Sequence, residues 1–222
     1  MRSVGNDLVY LQTRFCRGRA GDRRFVDKVL HPHEQELLRQ AAHPDPLLWL
    51  CWSVKEAAYK CCRRLDPAFP FAPTKIFVSH LAGTPVAHGA PDPGTGWHGR
   101  GFAGLNRVDA EVAAPGHRLF ARSLVREAWV YTVVGTSPGI LEEVRWGVRR
   151  IGAWDREAQS AAVREFTAGQ VAAARALGPD HRITFGKHAA GFPELYIDGD
   201  RQEDLVSFTH DHAYVGYALC PA

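Results

Sequence analysis

The sequence predicts an α+β protein made of two related halves with mainly antiparallel sheets. Three observations carry this. The length of 222 residues leaves room for one domain or two tightly joined halves. Strand-like runs dominate 75–134 and again 182–219, each block following a helical stretch. The two blocks also echo one another. Lys75-Ile76-Phe77-Val78, then Gly83-Thr84-Pro85, Ser123-Leu124 and the run Ala128–Val134 have counterparts in Arg182-Ile183-Thr184-Phe185, Gly191-Phe192-Pro193, Ser207-Phe208 and Ala213–Leu219. The division this suggests is residues 1–135 against 136–222.

Ser3 to Leu11 reads as a short buried strand carrying Asn6-Asp7 where a plain core strand would carry neither. The most basic stretch follows, with Arg14, Arg17, Arg19, Arg23, Arg24 and Lys28. Helices are expected at 32–42, with Pro32 suited to the first helical position, and at 46–63, where Asp45 can cap and Pro46 can start. The second of these is apolar nearly all round, which predicts burial. Strands are expected at Lys75–Ser79, Val108–Ala113, Arg118–Arg122 and Ala128–Val134, with an exposed, mobile Gly/Pro-rich loop over 83–104. A strand at 141–149 then leads to an Ala-rich helix near 155–177 closed by Gly178-Pro179, and strands at 182–186, 194–198, 205–209 and 213–219 finish the chain.

Composition excludes several classes. With 45% hydrophobic and 23% charged residues the chain is neither disordered nor fibrous. A net charge of +3 is too mild to argue for a nucleic-acid binder, and aromatics and arginines are not interleaved as in single-strand binders. The five cysteines (Cys16, Cys51, Cys61, Cys62, Cys220) include no CxxC pair and read as reduced, core-filling thiols. No signal-peptide h-region or membrane-length apolar run is present, so the expected location is the cytoplasm. His31/His33 and His210/His212 form His-x-His pairs without a third ligand at a diagnostic spacing. No Walker motif is present.

The chemistry lies in a few charged residues within apolar surroundings. Glu56 and Lys60 are four apart and share a helix face, with Trp52 one turn before. An exposed pair of this kind contributes about 0.3–0.5 kcal/mol. A carboxylate in so apolar a helix costs several kcal/mol unless a cation or metal compensates. Asp7 meets the same difficulty in its strand. Two carboxylates from separate elements beside a lysine suit a Mg²⁺–phosphate site, since Mg²⁺ takes one or two carboxylates and completes its octahedron with water and phosphate oxygens. A satisfied structural ion pair is the other reading.

Val4-Gly5-Asn6-Asp7-Leu8-Val9 followed by Trp52-Ser53-Val54-Lys55-Glu56-Ala57-Ala58-Tyr59-Lys60 resembles the paired signature of the 4′-phosphopantetheinyl transferase superfamily. Gly191-Phe192-Pro193 and Ser207-Phe208-Thr209-His210-Asp211 resemble its later elements. Motif order is similar to that of holo-acyl-carrier-protein synthases, whereas length and internal echo are closer to the larger pseudo-dimeric type. The resemblance implies Asp7 and Glu56 as ligands of Mg²⁺, with Mn²⁺ able to substitute, and Asp7, Glu56 and Lys60 as the catalytic set. Lys55, Lys60, Ser207 and His210 are implied as contacts to coenzyme A, His210 toward its 3′-phosphate. The implied reaction moves 4′-phosphopantetheine from coenzyme A to a serine of an apo acyl or peptidyl carrier protein, releasing 3′,5′-ADP. Removal of the serine proton needs a base, a role open to Glu56 directly or through a metal-bound water.

Two positions depart from the family pattern. Val9 stands where the large type has a second acid, and Phe192 where small synthases often have lysine, a role open to Lys187. Carrier proteins are acidic, so the basic run with Arg14, Arg17, Arg23, Arg24 and Lys28 is expected to dock them, a solvated face being the plainer reading. No nucleic acid or membrane partner is expected; a monomer is, with an oligomer as the alternative. The rival functions are a Mg²⁺-dependent phosphohydrolase or nuclease, and a non-catalytic coenzyme A or carrier-protein binding module.

Overall fold

A single strand organises the molecule. In the computed structural model, which describes residues 1–83, 96–102, 105–152 and 155–222, β1 (Val4–Tyr10) is buried on both faces. Basic residues follow it through a short 3₁₀ turn into α1 (Arg23–Val29), then α2 (Pro32–Gln40) and the long α3 (Pro44–Leu65). Next come β2 (Phe77–Ala82), β3 (Trp97–Arg100), β4 (Val108–Ala114), β5 (His117–Val125) and β6 (Trp129–Gly135). The rest comprises α4 (Pro138–Glu143), β7 (Arg145–Arg150), α5 (Arg156–Arg175), β8 (Ile183–Lys187), β9 (Pro193–Ile197), β10 (Asp200–Arg201), β11 (Leu205–Asp211) and β12 (Tyr214–Cys220).

Three antiparallel sheets result, ordered β1-β6-β5-β4-β2, β11-β12-β7-β3 and β10-β9-β8. The run β5-β6-β1 is repeated by β11-β12-β7, with α3 after β1 and α5 after β7. The echo breaks beyond that point: β4 and β2 continue the first sheet, whereas β9 and β8 form a sheet of their own. The fold is thus α+β with antiparallel pairing throughout the described residues, as the sequence predicts.

Alternation along β1 explains its composition. Gly5, Asp7 and Val9 face α3, while Val4, Asn6 and Leu8 face the second sheet, where Asn6 donates to the Tyr131 hydroxyl at 3.3 Å. Gly5 is required by space: a Cβ there would lie 2.1 Å from the Ala57 carbonyl oxygen and 2.7 Å from the Cys61 nitrogen. Only one edge of β1 has a strand partner, β6. The other faces β11, and its backbone groups are satisfied by side chains: Asn6 N–H donates to Ser207 Oγ (3.1 Å), Tyr10 N–H to Asp211 Oδ2 (2.7 Å), and the Asn6 carbonyl accepts from Lys60 (2.8 Å). The two sheets are therefore stitched along the line on which Asp7 lies.

Several local expectations change. Asp22 caps the unexpected α1, accepting from Phe25 N–H at 3.1 Å, and Val26 and Val29 fill its buried face. Asp45 does not cap α3, which begins at Pro44; its carboxylate accepts from Gly18 and Ala20 N–H (2.6 and 2.8 Å) and pins the basic segment to the helix. Residues 73–75 form a 3₁₀ turn before β2. Within 141–149 the chain first finishes α4, because Pro138 opens a helix and Ile140, Leu141 and Val144 follow a helical spacing; β7 begins only at Arg145. The expected loop over 83–104 contains β3, paired with β7; 84–95, 103 and 104, and with them Thr84-Pro85 of the echo, lie outside the described residues. Helix α5 stops at Arg175, where Ala176 adopts φ 52°, ahead of Gly178-Pro179. All five cysteines are buried and unpaired, and among the described residues no helix is long and apolar enough to cross a membrane.

Candidate active site

Two cavities flank the line where β1 meets β11, and they share His210. The first, about 360 Å³, lies between the end of β1, the following loop and α3. Asp7 and Glu56 line it, with Tyr10, Phe15, Trp49 and Trp52 as an aromatic wall. The second is a cleft of about 510 Å³ between the C-terminal half of α3, α5 and the β8–β9 turn. Lys60, Arg63, Arg64, Arg156, Arg164 and Lys187 line it and no carboxylate does. Lys60 is the only one of these six cations in an ion pair with a described residue.

The structure brings Asp7, Glu56 and Lys60 together. Asp7, 7% exposed, receives Lys60 Nζ at 3.1 Å and the Thr209 hydroxyl at 3.4 Å, both on Oδ1. Burial nonetheless wins over the Lys60 charge and raises the Asp7 pKa. Glu56 forms no hydrogen bond or ion pair with a described residue, and burial followed by the Asp7 charge pushes its pKa up to about 7. One ammonium thus serves two carboxylates in a poorly solvated cavity, leaving about one negative charge short of compensation. This donor set of two carboxylates, one without a partner among the described residues, fits a small divalent cation. A third protein ligand is not found: among the described residues no group of three or more His, Cys, Asp or Glu converges, and Val9 packs into the α3 core.

Ser207 and His210 both line the cationic cleft. Ser207 Oγ is 5% exposed and already accepts the Asn6 N–H, so it fixes β1 against β11 while facing the cleft. The His210 pKa is lowered by burial, then by Lys60 and Arg156, against the opposing charge of Asp211. Lys187 reaches the same cleft.

Lys55 does not join them. Its ammonium is fully buried on the far side of α3, donating to Glu34 Oε2 (2.6 Å), the Pro73 carbonyl (2.9 Å) and the Ile76 carbonyl. Burial pulls its pKa down against the opposing charge of Glu34. Adjacent helical residues point about 100° apart, so the neighbour of Glu56 in the motif is a core residue in space.

Arg14, Arg17, Arg23, Arg24 and Lys28 are exposed on the segment around the acidic cavity. Arg19 turns inward, pairing with Asp22 at 2.9 Å and covering the rings of Phe15 and Phe25. Phe15, itself 54% exposed, stands at the cavity rim among these cations. Sequence reasoning missed Thr209, Arg63, Arg64, Arg156 and Arg164. The signals were faint: Arg64 lies one helical turn beyond Lys60, and Arg156 and Arg164 are eight apart on α5.

A family model for the 4′-phosphopantetheinyl transferase superfamily matches residues 3–96. The match takes in Asp7, Glu56 and Lys60 and ends before Ser207 and His210. No curated protein matches the chain.

Proposed function

We propose that this chain transfers 4′-phosphopantetheine from coenzyme A to a serine of an apo acyl or peptidyl carrier protein, releasing 3′,5′-ADP. The observation that carries the reading is the junction of an acidic cavity with an acid-free, cation-lined cleft at His210 and Lys60. The cleft suits the phosphorylated nucleotide end of coenzyme A, and the acidic cavity beside the exposed arginines suits the acceptor serine. The family match over residues 3–96 supports phosphopantetheine transfer as the general chemistry.

Asp7 and Glu56 would hold Mg²⁺ or Mn²⁺, which when bound neutralises and orients phosphate oxygens. Glu56, directly or through a bridging water, accepts the proton from the serine hydroxyl. The serine oxygen forms its bond to the β-phosphorus while the bond from that phosphorus to the bridging oxygen breaks, and 3′,5′-ADP departs with that oxygen. Lys60, fixed by the Asn6 carbonyl and Asp7, offsets charge on the 5′-phosphate of the leaving 3′,5′-ADP. His210 and Arg156 face the far phosphate, and the aromatic wall limits water beside the serine. The first 135 residues supply the acids and Lys60, and 136–222 supply Ser207 and His210, so one chain completes the site.

Incubation with coenzyme A, Mg²⁺ and a panel of apo carrier proteins tests this. The expected result is a mass gain of about 340 Da on the carrier, lost when its acceptor serine is changed to alanine. Coenzyme A cleaved with the carrier unmodified would replace the reading with a phosphohydrolase, and binding without change would replace it with a non-catalytic module.

A further inference from the structure

One stacked unit in the cationic cleft is used by no step above. The turn between β8 and β9 is tight, His188 N–H donating to the Phe192 carbonyl (2.9 Å) and Gly191, at φ 94°, to the His188 carbonyl (2.8 Å). This sets the His188 ring flat on Phe192, with centroids 4.2 Å apart at 6°. On the Phe192 ring rests the Arg64 guanidinium, 4.1 Å from the centroid. Arg64 is at the end of the row Glu56, Lys60, Arg64, each one turn further along α3 toward the cleft.

A last-turn arginine ordinarily complements the helix C-terminus. Arg64 is held differently. One Nη donates to the Val206 carbonyl on β11, while Nε is buried with no hydrogen-bond partner among the described residues. Among the described residues no carboxylate forms an ion pair with it, Glu194 acting only at longer range, and burial brings its pKa down to about 10. An arginine kept planar, partly desolvated and short of an acceptor is poised for an oxyanion.

We infer that Arg64 binds the diphosphate of the nucleotide co-substrate next to Lys60, and that Phe192, braced by His188, is the platform positioning it. Phe192 occupies the turn position where a lysine could reach the same cleft directly, so here the charge comes from α3 and the turn supplies a ring. The inference rests on the coenzyme A reading and specifies which cation meets its diphosphate.

The test is calorimetric titration of coenzyme A, dephospho-coenzyme A and inorganic pyrophosphate into the whole protein, alongside thermal melts. Arg64→Gln keeps a donor for the Val206 carbonyl while removing the charge. It should weaken coenzyme A and dephospho-coenzyme A alike by about tenfold or more, as expected for a charged hydrogen bond. Phe192→Leu should weaken both by about threefold, the scale of one cation–π contact. Adding Phe192→Lys to Arg64→Gln should bring both affinities back to within about threefold of wild type, a rescue no general destabilisation would give. Unchanged affinity in Arg64→Gln, a loss confined to coenzyme A and so to its 3′-phosphate, or failure of the rescue would each overturn the inference. Absence of transfer to any carrier, with pyrophosphate binding still dependent on Arg64, would instead sink the transfer reading alone.

Discussion

Glu56 is a carboxyl group that folding prefers to keep protonated. Its pKa rises from 4.5 to about 7 on folding, through burial and then through Asp7, whose own pKa moves the same way. A raised acid stabilises the fold below its unfolded pKa, and that contribution is lost as pH climbs through the folded one. The metal-free protein should therefore lose on the order of 2–3 kcal/mol between about pH 4.5 and 7. Thermal melts should show this loss, its marked reduction in Glu56→Gln, and a larger Mg²⁺-induced rise in Tm at pH 8 than at pH 5. A melt indifferent to both pH and Mg²⁺ would contradict the site. Lys55 makes the opposite case. Lys55→Met would strand the Glu34 carboxylate in the core and cost about 3–5 kcal/mol in denaturant unfolding, while coenzyme A affinity in the folded fraction stays at the wild-type level. The acid motif and Lys60 were legible because charge in an apolar strand or helix demands compensation. The role of Lys55 was not, since adjacency in a motif says nothing about which helix face a side chain takes, and its partner Glu34 comes from another helix.

Among the elements, the contact of β1 with α3 determines the site. Gly5 lets the strand backbone rest against Ala57 and Cys61, which brings Asp7 level with Lys60 and Glu56. Gly5→Ala should force the two apart, lowering stability by about 2 kcal/mol or more and reducing transfer beyond what the stability loss explains. Chevron or melt data paired with turnover would check it, and wild-type values for both would refute the packing argument. Long patterned elements such as α3, α5 and β12 could be read from the sequence because burial on one face or both leaves a periodic imprint. Helices α1 and α4 escaped because their apolar residues are few and, in α4, adjacent enough to pass for a strand; the Asp22 cap and Pro138 at the first helical position were the better guides.

For the molecule as a whole, charge is sorted into compartments that the near-neutral total of +3 conceals. Cations without acids line the cleft, two acids share one ammonium in the cavity, and exposed arginines stand on the segment that contributes Thr13 and Phe15 to the cavity wall. Reversing Arg17, Arg23 and Arg24 together should raise the apparent KM for an acidic carrier about tenfold at low salt, less at high salt, with little change for coenzyme A. A KM insensitive to both would remove the docking role. This sorting was only half legible: Arg156 and Arg164 reach the cleft because α5 packs beside β11 and β12, a long-range event with no local signature.

The central claim is that Asp7 and Glu56 converge on one divalent cation next to the coenzyme A phosphates. Mn²⁺ titration followed by electron paramagnetic resonance, with coenzyme A present, tests it directly. The account predicts one site per chain, coupled to phosphorus and weakened at least about tenfold in Asp7→Asn and in Glu56→Gln. Mn²⁺ held equally well by both variants, or showing no phosphorus coupling, would contradict it.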